Sequence, residues 1–514
     1  MKRKHSILLL VFFIFIPAST CGQGPGDISD KINQAFEPLV AFLDRVFFWD
    51  PFNALGIDLG ARVPLIVLWV IVTGLWFTFK MGFINIRGFK HSIDLILGRY
   101  NRPDEKGQVT HFQALTTALS ATVGLGNIAG VAIAISVGGP GATFWMIVAG
   151  FFGMSLKFTE CTLGVKYRRI DQHGKVSGGP MYYLEEGLRR MGFTAIGKVL
   201  AVTYALVIIG ATMGGNMFQS NQAVAQLTGV VPQLEKFSPI IGLVISILVG
   251  LVVIGGIRSI GNVTKRIVPF MALLYVGASV IIIFININHV GEVMRLILTN
   301  AFEIQSIKGG IIGVLITGYR RGAFSNEAGL GTSSIAHAPA RTNEPVNEGI
   351  VALMEPFIDT VIICTMTSLV LIFSGLYNNP GGLEGTQLTS AAFETVFPWF
   401  PYVLIAAIFF FAYSTMISWS YYGIQSFDFL IGNRLDDRFK KSNWARNGFI
   451  FILLLCVIIG ASSQLMVVIN FLDMMMLTMA FPNILGLIFM SSEVRKDLNL
   501  YLQKLRTGHF QKNY

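Results

Sequence analysis

The sequence predicts an all-α polytopic membrane protein with eleven transmembrane helices. Ten of them form a core of two inverted five-helix repeats, preceded by one extra N-terminal helix. Three observations predict this class. Of 514 residues, 53% are hydrophobic and only 13% charged, with mean hydropathy +0.62, whereas soluble domains carry about 25% charged residues. Apolar runs of the roughly 20 residues needed to cross a bilayer recur along the chain. Finally, Lys and Arg gather in alternate short loops, so the formal charge of +10 reads as membrane orientation and not as a nucleic-acid surface.

Taken in order, residues 1–22 resemble a secretory signal, with basic Lys2-Arg3-Lys4, an apolar stretch and small residues before Cys21. Cleavage, cleavage with lipidation at Cys21, and retention as a further span are all open. Residues 23–62 follow as a periplasmic or interfacial segment. Within it, Ile32, Phe36, Leu39, Val40 and Leu43 recur at helical spacing. The extra helix lies near 63–83. The first repeat, 112–287, contains spans near 112–137, 142–165, 199–227, 239–256 and 267–287. The second, 310–491, contains spans near 310–338, 350–375, 401–428, 447–462 and 465–491, and 492–514 is a cytoplasmic tail. Because five is odd, consecutive sets of five spans have opposite orientations, which is the condition for an inverted repeat. Loops on one side hold Lys80, Arg87, Lys166, Arg168, Arg258 and Arg446, while those on the other hold only Lys236, Arg295 and Lys308. That asymmetry puts the C-terminus in the cytoplasm, and the membrane expected is a bacterial inner membrane.

Each repeat opens with a weak helix. Gly124, Gly126, Asn127 and Gly130 interrupt the first at bilayer depth, and each glycine costs roughly 1 kcal/mol relative to alanine. The second interruption runs from Gly318 to Gly331 and includes Ser325-Asn326-Glu327. Helix-packing glycine is the competing explanation. Breaks at corresponding places in two halves mark the binding site of a secondary transporter, because freed carbonyls face cations and half-helix N-termini face carboxylates.

Other polar groups lie at depth. Gly214 to Gln222 contains Gln219, and Tyr413 to Trp419 contains Ser414 and Thr415 one turn before Trp419. Lys157 and Glu160 are spaced to pair on one helix, whereas Glu355 and Asp359 would repel if both were ionised. Arg320 and Arg321 either line an outer approach or pair with an acid, and Asp473 is a further buried charge. Glu327 is the candidate coupling group, with helix capping as its alternative. The four cysteines form no CxxC pair, no HExxH or GxSxG occurs, and the histidines are not clustered in sequence. An enzyme is therefore not expected, nor a cofactor.

Ala118 to Val131, Gly138 to Trp145, Ser177 to Tyr183 and Arg321 to Gly331 resemble the sodium:alanine symporter family over about residues 60–495. The resemblance implies a leucine-transporter-like fold and sodium-coupled import of alanine or glycine across the bilayer. It further implies that Gly124, Gly126, Asn127, Gln219, Ser325, Asn326 and Trp419 contact substrate, with Trp419 capping a small side-chain pocket. Carbonyls at Ser120 and Val123 with the hydroxyls of Ser414 and Thr415 would enclose sodium. Proton coupling, or a broader range of neutral amino acids, is the alternative on the same fold.

Overall fold

The computed structural model describes residues 45–102, 105–303, 310–432, 443–508 and 510. The signal-like segment and most of the amphipathic segment lie outside the described residues. Among the described residues eight helices are long and apolar enough to cross a bilayer, and nine if the bent pair His111–Thr122 and Gly126–Gly138 is one span. Two expected spans are shorter: Leu65–Lys80 has 16 residues and Gly310–Asn326 has 17.

Local sequence sets several of the boundaries. His111–Thr122 starts from a reciprocal capping box between Thr110 and Gln113, which fixes where the first broken helix begins. The helix expected from 267 begins at Gly256 and continues through Pro269 to Ile285. The last helix does not stop near 491. It runs unbroken from Leu465 to Arg506, 42 residues, or about 63 Å at 1.5 Å per residue. Most of the expected tail is therefore helix.

The long helix Thr194–Val230 lies against Phe400–Phe427, Trp444–Ala461 and Leu465–Arg506, while Ala142–Lys166 lies against Leu65–Lys80, Gly310–Asn326 and Pro345–Ala352. The first broken helix touches both groups, with His111–Thr122 against Phe400–Phe427 and Val131–Gly138 against Gly310–Asn326 and Ala142–Lys166. Large apolar side chains on the outside remain uncovered, with Leu273 77%, Leu251 70% and Phe284 68% exposed, as expected of surfaces solvated by lipid tails. A two-stranded antiparallel hairpin, Arg169–Ile170 with Val176–Ser177, joins Ala142–Lys166 to the surface helix Pro180–Arg190.

Candidate functional site

The first helix stops at Thr122, and Val123 turns the chain before a π turn over Gly126–Gly130 leads into Val131–Gly138. The two halves are bent by 50°. The Asn127 side chain holds the corner by accepting from the Gly124 N–H at 2.9 Å. Carbonyls freed just before the corner are taken up by Phe400–Phe427. Thr415 donates to the Ser120 carbonyl at 2.8 Å and the Trp419 indole N–H to that of Ala121 at 3.3 Å. Ser418 meets the Ser120 hydroxyl. A Cβ at Gly124 would stand 2.6 Å from Thr415 Oγ1 and 3.3 Å from Gln219 Nε2, so only glycine admits these groups. Among the described residues the buried Gln219 carbonyl oxygen has no partner.

Ser120, Gly124, Gln219, Thr415 and Trp419 thus come together. Ser414 does not join them: its hydroxyl donates to the Phe411 carbonyl and approaches Met271 Sδ at 3.6 Å. Gly126 faces the Phe324 ring.

The second break is shorter than the sequence predicts. Gly318 to Asn326 remain helical, and the interruption spans Glu327 to Thr332. Gly318 and Gly322 are packing positions: an added Cβ would lie 2.5 Å from the Ala142 carbonyl oxygen and 2.9 Å from Ala149 Cβ. In the true break Glu327, Gly329 and Gly331 have φ of 55°, 86° and 82°, the left-handed region that favours glycine. Glu327 accepts from the Thr332 hydroxyl at 2.5 Å, which closes the turn as a cap would. Asn483 donates to the Gly329 carbonyl, and Tyr204 to that of Leu330, both at 2.8 Å.

Asn127 of the first break meets Ser325, at the end of the helix that precedes the second break, and Asp359. The Asn127 amide nitrogen lies 2.6 Å from Asp359 Oδ1, 3.1 Å from the Asp359 carbonyl, 3.0 Å from Ser325 Oγ and 3.4 Å from Cys364 Sγ. Ser325 and Thr360 donate to the other Asp359 oxygen at 2.7 and 2.8 Å. Asn326 donates to Thr360 at 3.1 Å. All of these groups are buried. Asp359, carried on the π-helical stretch Phe357–Cys364, is the residue whose central place sequence reading missed. The signal was available, since an acid at bilayer depth needs partners.

Other charges pair differently from expectation. Lys157 does not pair with Glu160; it bonds Ser333 and reaches Glu355 at 3.2 Å. Glu160 instead accepts from the Gly331 N–H at 3.1 Å and from Asn483 at 2.8 Å. Arg320 and Arg321 both donate to Asp473, at 2.8 and 3.1 Å, so the pairing alternative holds. They also line a cavity of about 460 Å³ with Arg62. His111 and His337, distant in sequence, converge on Glu348.

Residues 57–514 match the model of the sodium:alanine symporter family. The chain belongs to that family. It is 40% identical over 445 residues to the sodium/alanine symporter AgcS of Methanococcus maripaludis, covering 85% of this chain and 94% of the relative. To the probable sodium/glutamine symporter GlnT of Bacillus subtilis it is 32% identical, covering 86% and 89%. The solved structure of MhsT in complex with L-phenylalanine superposes with TM-score 0.51 at 14% identity, over 77% of this chain and 99% of that one. This likeness supplies the fold, which is leucine-transporter-like. The protein is therefore an integral membrane amino-acid symporter driven by a cation, and not an enzyme.

Proposed function

We propose that this symporter imports alanine or glycine together with sodium by alternating access. In this reading eleven spans, ten of them arranged as two inverted repeats, cross the inner membrane, with the basic loops in the cytoplasm. The observation that carries the proposal is the Asn127–Asp359 centre. Two amide protons there face four acceptors, and the surplus of lone pairs beside a buried carboxylate suits the positively charged end of an amino acid. Gly124 and Gly126 bring N–H groups of the second half-helix within reach of a substrate carboxylate. The unpartnered Gln219 oxygen offers an acceptor to its ammonium group. Trp419, which packs on Gly215, would cap the substrate's side chain.

In this assignment Gly124, Gly126, Asn127, Gln219, Ser325, Asn326 and Trp419 hold the amino acid. The Ser120 and Val123 carbonyls with Thr415 are sodium ligands, and Ser414 joins that shell only after a change of rotamer. Uptake of labelled alanine into proteoliposomes under an imposed sodium gradient, compared with an imposed proton gradient, tests the reading. Accumulation with sodium alone supports it. Accumulation with protons alone replaces sodium as the driving ion, and no uphill accumulation ends the proposal.

A further inference from the structure

A line of ionisable side chains leads away from the second break and takes no part in the site above. Ser333, the first helical residue after the break, donates to Glu355 Oε2 at 2.5 Å and is bonded by Lys157. Glu355 Oε1 faces His337 Nε2 at 2.8 Å. The other ring nitrogen of His337 bonds Glu348, whose second oxygen bonds His111 Nδ1. His111 is the first residue of the broken helix His111–Thr122, and among the described residues its Nε2 is buried and has no partner. Lys157, Glu355, His337 and Glu348 are fully buried, and His111 is 2% exposed.

Both ring nitrogens of His337 face carboxylate oxygens, yet a neutral imidazole carries one N–H. One more proton must therefore reside on His337 or on a neighbouring glutamate. With Lys157 charged, both glutamates ionised and His111 neutral, that proton brings the cluster to zero net charge. Without it, a negative charge would be stranded in a dry interior.

The other ionisable groups nearby do not remove the need: Glu327, which also acts on Lys157, accepts from the Thr332 hydroxyl. Glu160 is taken by Gly331 and Asn483, and the Cys161 thiol lies beside His337 and Glu355. Tyr422 is close to Glu355. Arg168, which neighbours Glu348, spends its guanidinium on the carbonyls of Lys106, Ala338, Ala340 and Thr342. Glu105 lies beyond His111 at the edge of the molecule.

We propose that His337, clasped between Glu348 and Glu355, is a proton-binding site that exchanges through His111 with the side of the membrane carrying the basic loops, and that its occupancy controls turnover. This rests on the chain being an alanine carrier. With His337 neutral and its one proton on Nε2, a proton entering at His111 Nε2 drives the Nδ1 proton onto Glu348 Oε1, and the Glu348 carboxyl, on turning, delivers that proton to the bare His337 Nδ1, leaving both glutamates ionised around an imidazolium. One proton enters and one moves on at each link. The reverse order releases it to the same side.

The experiment is alanine–alanine exchange in proteoliposomes, with pH changed on one side at a time across about pH 6 to 8.5, the range in which imidazoles titrate. Sidedness is read from protease access to the C-terminal end, because Lys504 bonds Glu344 at 2.6 Å and so shares the face of His111. The wild type is expected to change its exchange rate severalfold with pH on that face and little with pH on the other. His111→Gln, which keeps a donor toward Glu348, is expected to flatten this response while alanine binding is retained, and His337→Asn to abolish it. An unchanged pH profile in both variants, or a wild-type rate indifferent to pH on that face, overturns the proposal. So does flattening that appears only together with lost alanine binding, which would make the line a structural brace. Absence of alanine exchange in the wild type at every pH would instead refute the transport reading itself.

Discussion

The two breaks solve the same problem by opposite means. The first leaves helical geometry at Val123, regains it in a π turn, and hands its freed carbonyls to side chains of Phe400–Phe427. The second leaves helical geometry altogether, through three left-handed residues, and is pinned by Glu160, Tyr204 and Asn483. Bonds of the first kind can be traded one for one with a ligand, since hydroxyls and an indole are already playing its part. Those of the second kind hold a turn that has no alternative shape. The first break is therefore the adaptable partner and the second the fixed one.

The largest effect should come from filling the adaptable break. Gly124→Ala forces a methyl to 2.6 Å from Thr415 Oγ1, an overpacking of about 1–3 kcal/mol, and labelled alanine uptake should vanish while the protein still inserts. Asn127→Ala strands the acceptors around Asp359 at about 1–3 kcal/mol, so alanine binding measured by calorimetry should weaken about tenfold or more. Unchanged affinity would remove Asn127 from the site. Thr415→Val frees the Ser120 carbonyl and should raise the sodium concentration needed for half-maximal uptake. Ser414→Ala, whose hydroxyl faces Phe411 and Met271, should not, and equal shifts would erase the distinction between these neighbours.

At the fixed break Gly331→Ala combines a φ of 82° with a Cβ only 2.5 Å from Pro180 Cγ. The left-handed strain alone costs about 1–2 kcal/mol, so the melting temperature should fall while alanine affinity of the folded protein stays as it was. A changed affinity would make the second break adaptable too. Glu186, on the surface helix Pro180–Arg190, gives the baseline. Hydrogen bonds from Arg189 and then Arg190 hold its carboxyl at about 2, below the ordinary 4.5. Stability from this group is present above 4.5 and lost as pH falls through about 2. Glu186→Gln should cost less than about 1 kcal/mol at neutral pH after solvent screening and nothing near pH 2, as read by thermal melts.

How much of this was legible in the sequence depends on how local each feature is. The first break was readable because three glycines and an amide lie within seven residues. The second was drawn too long because Gly318 and Gly322 look like helix breakers but are there to let Ala142–Lys166 approach. Spacing suggested a Lys157–Glu160 pair on one helix, yet neighbouring helices offered each a better partner, and that competition has no sequence signature. The His111–Glu348–His337 convergence was out of reach for the same reason, since its members come from three separate segments. Asp359 could be flagged as a buried acid, but only the fold puts it against Asn127.

The helix that runs past the bilayer to Arg506 has a practical consequence. Lys166 fastens it through Glu493 and Asp497 at 2.7 and 2.5 Å, and Lys504 through Glu344 at 2.6 Å. A spectroscopic probe attached near its far end would ride on a stiff rod rooted beside the second break, because Asn483 on the same rod grips Gly329. Rotations of a few degrees deep in the lipid would be magnified there into displacements an instrument can resolve.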